Sequence, residues 1–190
     1  MDRRNTRTRL YTWLKAGTLG AAFALVGTSH AQVDVSTGGP VTSYGTLTAA
    51  FNAINAGTHT GVVLIELNAI TITEPASTSA VLNGSGAGLA SYASVLIRPK
   101  IDGVTLSGTP ILGRGLIELN GADNVTIDGD NPNTGGTNRN LTITNASATT
   151  VNLSPAIRVA VAATVITSAD NNTVQNCNVN GNGTARNAGP

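Results

Sequence analysis

Charge and aromatic rings are both scarce in this sequence. Charged residues make up 11% of its 190 positions and aromatic residues 3%. Long exposed helices and coiled coils are excluded by the first shortage, because they draw on Glu-, Lys- and Leu-rich stretches. A nucleic-acid surface is excluded as well, since the formal net charge is only +1 and such surfaces need clustered Lys and Arg. One cysteine, Cys177, cannot form an internal disulfide framework. The single tryptophan is Trp13, and the only aromatic residues after residue 31 are Tyr44, Phe51 and Tyr92, so an aromatic platform for sugar rings is missing. Disorder driven by charge is excluded by the 41% of apolar residues.

What charge there is falls unevenly. Arg3, Arg4, Arg7, Arg9 and Lys15 precede an apolar run from Ala16 to Gly27, and Ser29-His30-Ala31 follows with small residues at the positions a signal peptidase reads. This is the layout of a secretory leader. The run of about 12 residues falls short of the roughly 20 needed to cross a bilayer. Residues 1–31 are therefore expected to be a signal peptide of the general secretory route, because Asn5-Thr6-Arg7 fits poorly with twin-arginine export. Cleavage after Ala31 leaves six basic and nine acidic residues, a net charge of −3. No later segment is long and apolar enough to be a transmembrane helix. The protein is expected to be secreted, to the extracellular space or the outer cell surface.

In place of charge the chain has Thr, Asn and Gly, 69 residues in all. Residues 32–45 are Gly-, Ser- and Thr-rich and read as an exposed lead-in. Leu47, Ala50, Phe51 and Ile54 then recur at helical spacing, with Thr46 or Thr48 to cap the start and Gly57 to end it, which predicts a helix over about 47–56. After Gly61 the pattern is short strands between Gly, Asn and Asp turns. Residues 77–93 interrupt it and read as an excursion.

The strands repeat. Val104-Thr105-Leu106-Ser107-Gly108 is echoed by Val125-Thr126-Ile127-Asp128-Gly129, by Leu141-Thr142-Ile143-Thr144-Asn145 and loosely by Cys177-Asn178-Val179-Asn180-Gly181. Ala122-Asp123-Asn124 returns as Ala169-Asp170-Asn171, 47 residues later, read as about two turns of a solenoid with a unit of roughly 20 residues. Asn124, Asn140 and Asn171 begin similar Asn-x-Thr-Ile/Val turns. Small inward Val, Ile and Leu with outward Thr suit a thin, stacked core. The expected fold is all-β, a parallel β-helix over residues 46–182 with an N-terminal capping helix; an antiparallel β-sandwich is the alternative. Residues 183–190 read as a flexible end, and the lack of a closing cap suggests a truncated solenoid continued by downstream repeats of a longer chain.

The stretch from about Tyr44 to Asn182 resembles the secreted bacterial right-handed parallel β-helix proteins of the pectate-lyase-like superfamily, on the helix at 47–56 and the Asn-x-Thr-Ile/Val turns. Surface-associated, adhesin-like members resemble it as closely as the lyases do. The resemblance implies calcium held by wall aspartates and a basic residue abstracting a proton in catalytic relatives. Asp123, Asp128 and Asp130 form the densest acidic cluster and are the candidate metal ligands, though Pro132 and Asn133 break an EF-type spacing from Asp128. Glu66 and Glu118 are the only pair placed alike within apolar strands, where alternation sends both to solvent; a hydrolase would need them facing one another. Arg98, Lys100, Arg114 and Arg158 are the candidate bases or charge neutralisers. The paired aspartates and Gly-His-Gly of polygalacturonases are missing. His59 reads as an exposed, inert turn residue, and Cys177 as a small buried hydrophobe with no base nearby. The leading expectation is a non-catalytic extracellular or cell-surface module, as spacer, adhesin-like unit or matrix component, with polysaccharide or cell-surface components as partners and no cofactor. The alternative is a lyase or hydrolase acting on acidic polysaccharide.

Overall fold

In a computed structural model, residues 31–147, 154–162 and 168–181 are described. The leader up to residue 30 and the end at 183–190 lie outside the described residues. Alternation of small apolar and polar residues does what period two requires: inward residues are buried, and the residues between them face out. The segments that result are β1 (Val33–Ser36), β2 (Thr42–Tyr44), β3 (Gly61–Leu67), β4 (Thr71–Thr73), β5 (Ala80–Asn83), β6 (Tyr92–Pro99), β7 (Val104–Gly108), β8 (Ile117–Asn120), β9 (Val125–Asp128), β10 (Leu141–Asn145), β11 (Ile157–Ala160), β12 (Thr173–Gln175) and β13 (Cys177–Asn180), with one helix, α1 (Leu47–Asn55).

From β3 onward each strand pairs in parallel with the strand three places along, giving three sheets: β12-β9-β6-β3-β1-β2, β13-β10-β7-β4 and β11-β8-β5. We call them the first, second and third sheets. The chain is thus a parallel β-solenoid of about three turns. Its interior is a set of aligned stacks. Ile65, Ile97 and Ile127 line up across the first sheet, Ile72, Leu106 and Ile143 across the second, and Leu82 and Leu119 across the third, all fully buried.

The repeat is longer than the sequence suggested. One turn carries three strands, and Leu106 meets Ile143 at a separation of 37 residues, while Thr126 meets Thr173 at 47. The Ala-Asp-Asn echo therefore spans one turn, not two. Three of the four strand echoes stack on the second sheet, whereas Val125–Asp128 belongs to the first. The motif specifies a strand; the corners between strands decide which sheet it joins. Left-handed backbone falls on Asn124 (φ 57°), Asn171 (φ 55°) and Asn176 (φ 53°), as Asn tolerates best after Gly.

Two segments differ from expectation. The 32–45 lead-in is not exposed throughout: Val33 and Val35 are fully buried, and β1 runs antiparallel to both β3 and β2. Val33-Asp34-Val35-Ser36 alternates, so it adds to the sheet despite its Gly/Ser/Thr-rich surroundings. The 77–93 excursion likewise holds β5, whose Ala80 and Leu82 begin the third sheet's inward stacks.

Two elements cover strand edges of the first turn that would otherwise face solvent, the β1–β2 hairpin and α1. The β1–β2 hairpin covers the edge of β3. Helix α1 covers β5: Asn55 donates to the Val81 carbonyl (2.8 Å) and accepts from the Asn83 N–H (2.9 Å), taking the place of a strand. Thr46 caps the helix by accepting from the Ala49 N–H (3.1 Å), and Leu47, Ala50, Phe51 and Ile54 are buried as their spacing requires. The free N–H groups of the first turn go to Glu74, whose Oε1 accepts from Leu47 (2.7 Å) and Oε2 from Thr48 (2.9 Å).

Candidate functional site

The outward positions of the three sheets differ in chemistry. On the first sheet, register places Asp34 beside Glu66 and Glu66 beside Arg98, and Asp128 beside Gln175. Arg98 donates to Glu66 Oε1 through Nη2 (2.8 Å) and Nε (3.2 Å). Lys100 Nζ lies 3.3 Å from Asp34 Oδ2 and 3.5 Å from Glu66 Oε2. Ser43 and Asn68 also donate to Asp34. Burial disfavours the Asp34 anion, but these donors outweigh it and hold its carboxyl below the ordinary range. The row therefore brings acidic and basic residues of successive turns together, already paired with one another.

On the third sheet stands one carboxylate with two guanidinium partners. Glu118 points outward by alternation yet is fully buried, contrary to the solvent position expected for it. Arg114, four residues earlier, reaches it with Nε (2.9 Å) and Nη2 (2.6 Å); Arg158, from the next turn, adds Nη1 (2.8 Å). Burial raises the carboxyl's cost of ionising, and the two arginines with the Gly115 N–H more than offset it, so its pKa sits below the ordinary value. Gly115 is required by space: a Cβ there would strike the Ile117 carbonyl oxygen and lie 2.8 Å from the Arg158 nitrogen. Glu66 and Glu118 lie on different sheets, so they do not face each other across a substrate bond.

The three candidate metal ligands do not converge. Asp123 Oδ1 accepts from the Asp170 N–H (2.5 Å), linking the two Ala-Asp-Asn corners. Asp128 accepts from Gln175 Nε2 (2.8 Å), Asn176 Nδ2 (2.9 Å) and the Asp130 N–H (3.0 Å). These donors, with the charge of Arg98, overcome burial and keep its carboxyl below the ordinary value. Asp130 Oδ1 accepts from the Asn138 N–H (2.8 Å). Among the described residues, no group of three or more His, Cys, Asp or Glu side chains is gathered as a metal would need.

Sequence reasoning missed the residue that organises the 129–140 loop. Asp102 Oδ1 accepts from Asn131 Nδ2 (2.7 Å), Thr134 Oγ1 (2.6 Å) and Asn140 Nδ2 (2.7 Å). It stitches that loop to the corresponding corner of the preceding turn. The only available signal was an isolated Asp beside a Gly, common to most turns. His59 also departs from its expected place. It is 7% exposed and shares a 2.8 Å hydrogen bond with the Tyr44 hydroxyl, and burial depresses its pKa. Cys177 follows its expectation more closely: it is half-buried against the core, and burial pushes its thiol up to about 11.

The second sheet is different again. Its outward rows are Thr71, Thr105, Thr142 and Asn178, and Thr73, Ser107, Thr144 and Asn180. They carry no charge at all, and along these in-register rows neighbouring strands repeat at a spacing of about 4.8 Å. Comparison with family models, curated proteins and solved structures finds no match.

Proposed function

We propose that the chain is a non-catalytic extracellular or cell-surface β-solenoid module with a spacer, adhesin-like or matrix role. The observation that carries this reading is the use of charge. Glu66, Glu118, Asp123, Asp128 and Asp130 are each held by donors of their own or a neighbouring turn, while the uncharged Thr/Asn sheet stands open. A leader ending at Ala31 carries the chain out of the cell by the general secretory route, and its partners are polysaccharide or other cell-surface components. The likeness to pectate-lyase-like proteins supports the architecture and not a chemistry, since one fold hosts many functions.

A second reading, a lyase or hydrolase on acidic polysaccharide, is favoured by the row in which Arg98 and Lys100 stand beside Glu66 and near Asp128. One experiment separates the two. Purified secreted protein is incubated with a panel of uronate polymers, with and without calcium, and cleavage products are measured. No product is expected. Product formation that disappears in Asp128→Asn or Asp130→Asn overturns the proposal. Amino-terminal sequencing of the secreted material is expected to begin at Gln32.

A further inference from the structure

His59 is an ionisable ring buried beneath the first turn. It is 7% exposed, although Thr58 and Thr60 on either side of it are exposed. Its Nε2 shares the 2.8 Å hydrogen bond with the Tyr44 hydroxyl, the two ring planes standing 80° apart. Among the described residues the His59 ring has no other hydrogen-bond partner. The position gives this bond leverage. Tyr44 ends β2 just before α1, and His59 lies just after the helix, so the bond ties together the two ends of a segment 15 residues apart. That segment carries α1, which shields the edge of β5 through Asn55. The backbone on both sides of His59 is fixed. The Thr58 N–H donates to the Ala53 carbonyl (2.9 Å), and the Gly61 N–H donates to the Ser91 carbonyl (3.1 Å). Gly57 lies so near Leu89 that a Cβ there would come within 2.7 Å of its carbonyl oxygen.

The surrounding elements offer no counter-ion. Helix α1, β5 and the 84–91 loop contain no titratable residue, and β2 contains only Tyr44. Asp34 of β1 and Glu66 of β3 are turned outward and paired with Lys100 and Arg98. Glu74 holds the first two N–H groups of α1 with its two carboxylate oxygens. The Tyr92 hydroxyl is spent on the Asn83 carbonyl (2.6 Å). A neutral imidazole suits this site. An imidazolium there is a buried charge without a partner, which is costly.

We propose that His59 is a pH-sensitive latch on the N-terminal cap: its protonation in mild acid parts Tyr44 from the 57–60 segment, loosens α1 and uncovers the edge of β5. The later turns, whose sheets stack without α1, stay closed. Burial sets the sign, since it lowers the pKa of the folded ring below the ordinary 6.5. The stability supplied by the neutral ring is full above pH 6.5 and is lost as pH falls through the lower folded value.

The test is hydrogen exchange of the full chain from neutral pH down to about pH 4.5, expressed as protection factors, beside NMR titration of the His59 ring, identified by its contact with the Tyr44 ring. His59→Gln is the comparison, because its amide can still bond the Tyr44 hydroxyl and cannot titrate. Relative to that variant, protection over residues 47–56 of the parent is expected to fall about tenfold per pH unit below 6.5, until the folded pKa is reached. Protection in β9 and β10 is expected to follow the variant at every pH. The ring is expected to titrate below 6.5, a readout taken on the parent and independent of how well the variant folds. A ring that titrates at or above 6.5, parent and variant profiles that coincide over residues 47–56, or a loss in β9 and β10 that accompanies the loss in α1, would each overturn the proposal.

Discussion

Replacing Glu118 tests whether a buried charge serves the solenoid. The carboxylate is 1% exposed, whereas its partners Arg114 and Arg158 are 39% and 42% exposed. Three charge-assisted hydrogen bonds of 2.6–2.9 Å converge on it. Bonds to a charged group are worth roughly 1.5–3 kcal/mol where water is excluded. Here the cations are nearly half solvated and can be rehydrated when released, which brings each pair down to about 1 kcal/mol. Glu118→Gln keeps the volume but turns an amide NH2 toward one guanidinium, donor against donor, at a side chain only 1% exposed. The expected loss is about 2–3 kcal/mol. Glu118→Leu removes both the pairs and the need to bury a charge, so it is expected to fall within about 1 kcal/mol of the parent. The assay is urea unfolding followed by circular dichroism, with hydrogen exchange in β8 and β11 as the local readout.

The pH dependence carries its own sign. The folded carboxyl titrates below its ordinary 4.5. Its contribution is therefore full above pH 4.5 and is lost as pH falls through the lower folded value. The gap between parent and Glu118→Gln should close over that interval, a difference that cancels the other low-titrating acids, Asp34, Asp102 and Asp128. A Gln variant as stable as the parent at neutral pH, or a Leu variant less stable than the Gln variant, refutes the reasoning.

Three further outcomes follow from the geometry. Glu74→Ala strips the acceptor from the first two N–H groups of α1 and is expected to cost about 1–2 kcal/mol, read as faster hydrogen exchange over residues 47–56 with the second and third turns unchanged. Gly129→Ala drives a Cβ into the Asn176 carbonyl of the next corner, so β12 and β13 should lose exchange protection at a cost of about 3 kcal/mol, while Gly135→Ala, with open space around it, should be silent. Cys177, its thiol pushed up to about 11, should react with iodoacetamide at pH 8 about two orders of magnitude more slowly than a free thiol, the two rates converging in denaturant.

Much of the architecture was legible in the residues. Leu47, Ala50, Phe51 and Ile54 announced the capping helix and its buried face, and the Thr-between-apolar strands announced a stacked core. What alternation does not encode is the cross-section. Val125-Thr126-Ile127-Asp128 and Leu141-Thr142-Ile143-Thr144 have the same pattern and join different sheets, because the twelve-residue corner between them turns the chain. The next turn makes the same corner with Asn176 alone, in left-handed conformation. The candidate acids were harder to read for a related reason. Alternation correctly aims Glu118 outward, but its burial comes from Arg114 on its own loop and Arg158, 40 residues on. Only the completed turn puts those groups in one place.

The scarcity of charge then takes on a structural meaning. Stacks of Val, Ile and Leu are nearly interchangeable, and a strand slipped by two residues would still bury apolar side chains. The few ionic groups are placed where such a slip would be felt: Glu66 against Arg98 across 32 residues, Asp34 against Lys100 across 66, and Glu118 against Arg158 across 40. The first and third join paired strands and the second ties β1 to the residue just past β6, and each has a geometry that a two-residue shift would break. Their cost of desolvation limits what they add to stability; their contribution lies in making one stacking register better than its neighbours. On the second sheet, where no ion pair does this, the register is held by the corners instead, through Asp102 with Asn131, Thr134 and Asn140 and through the tight approach of Gly129 to Asn176. Confining these restraints to corners is what leaves that sheet's outer face free to be uniformly Thr, Ser and Asn.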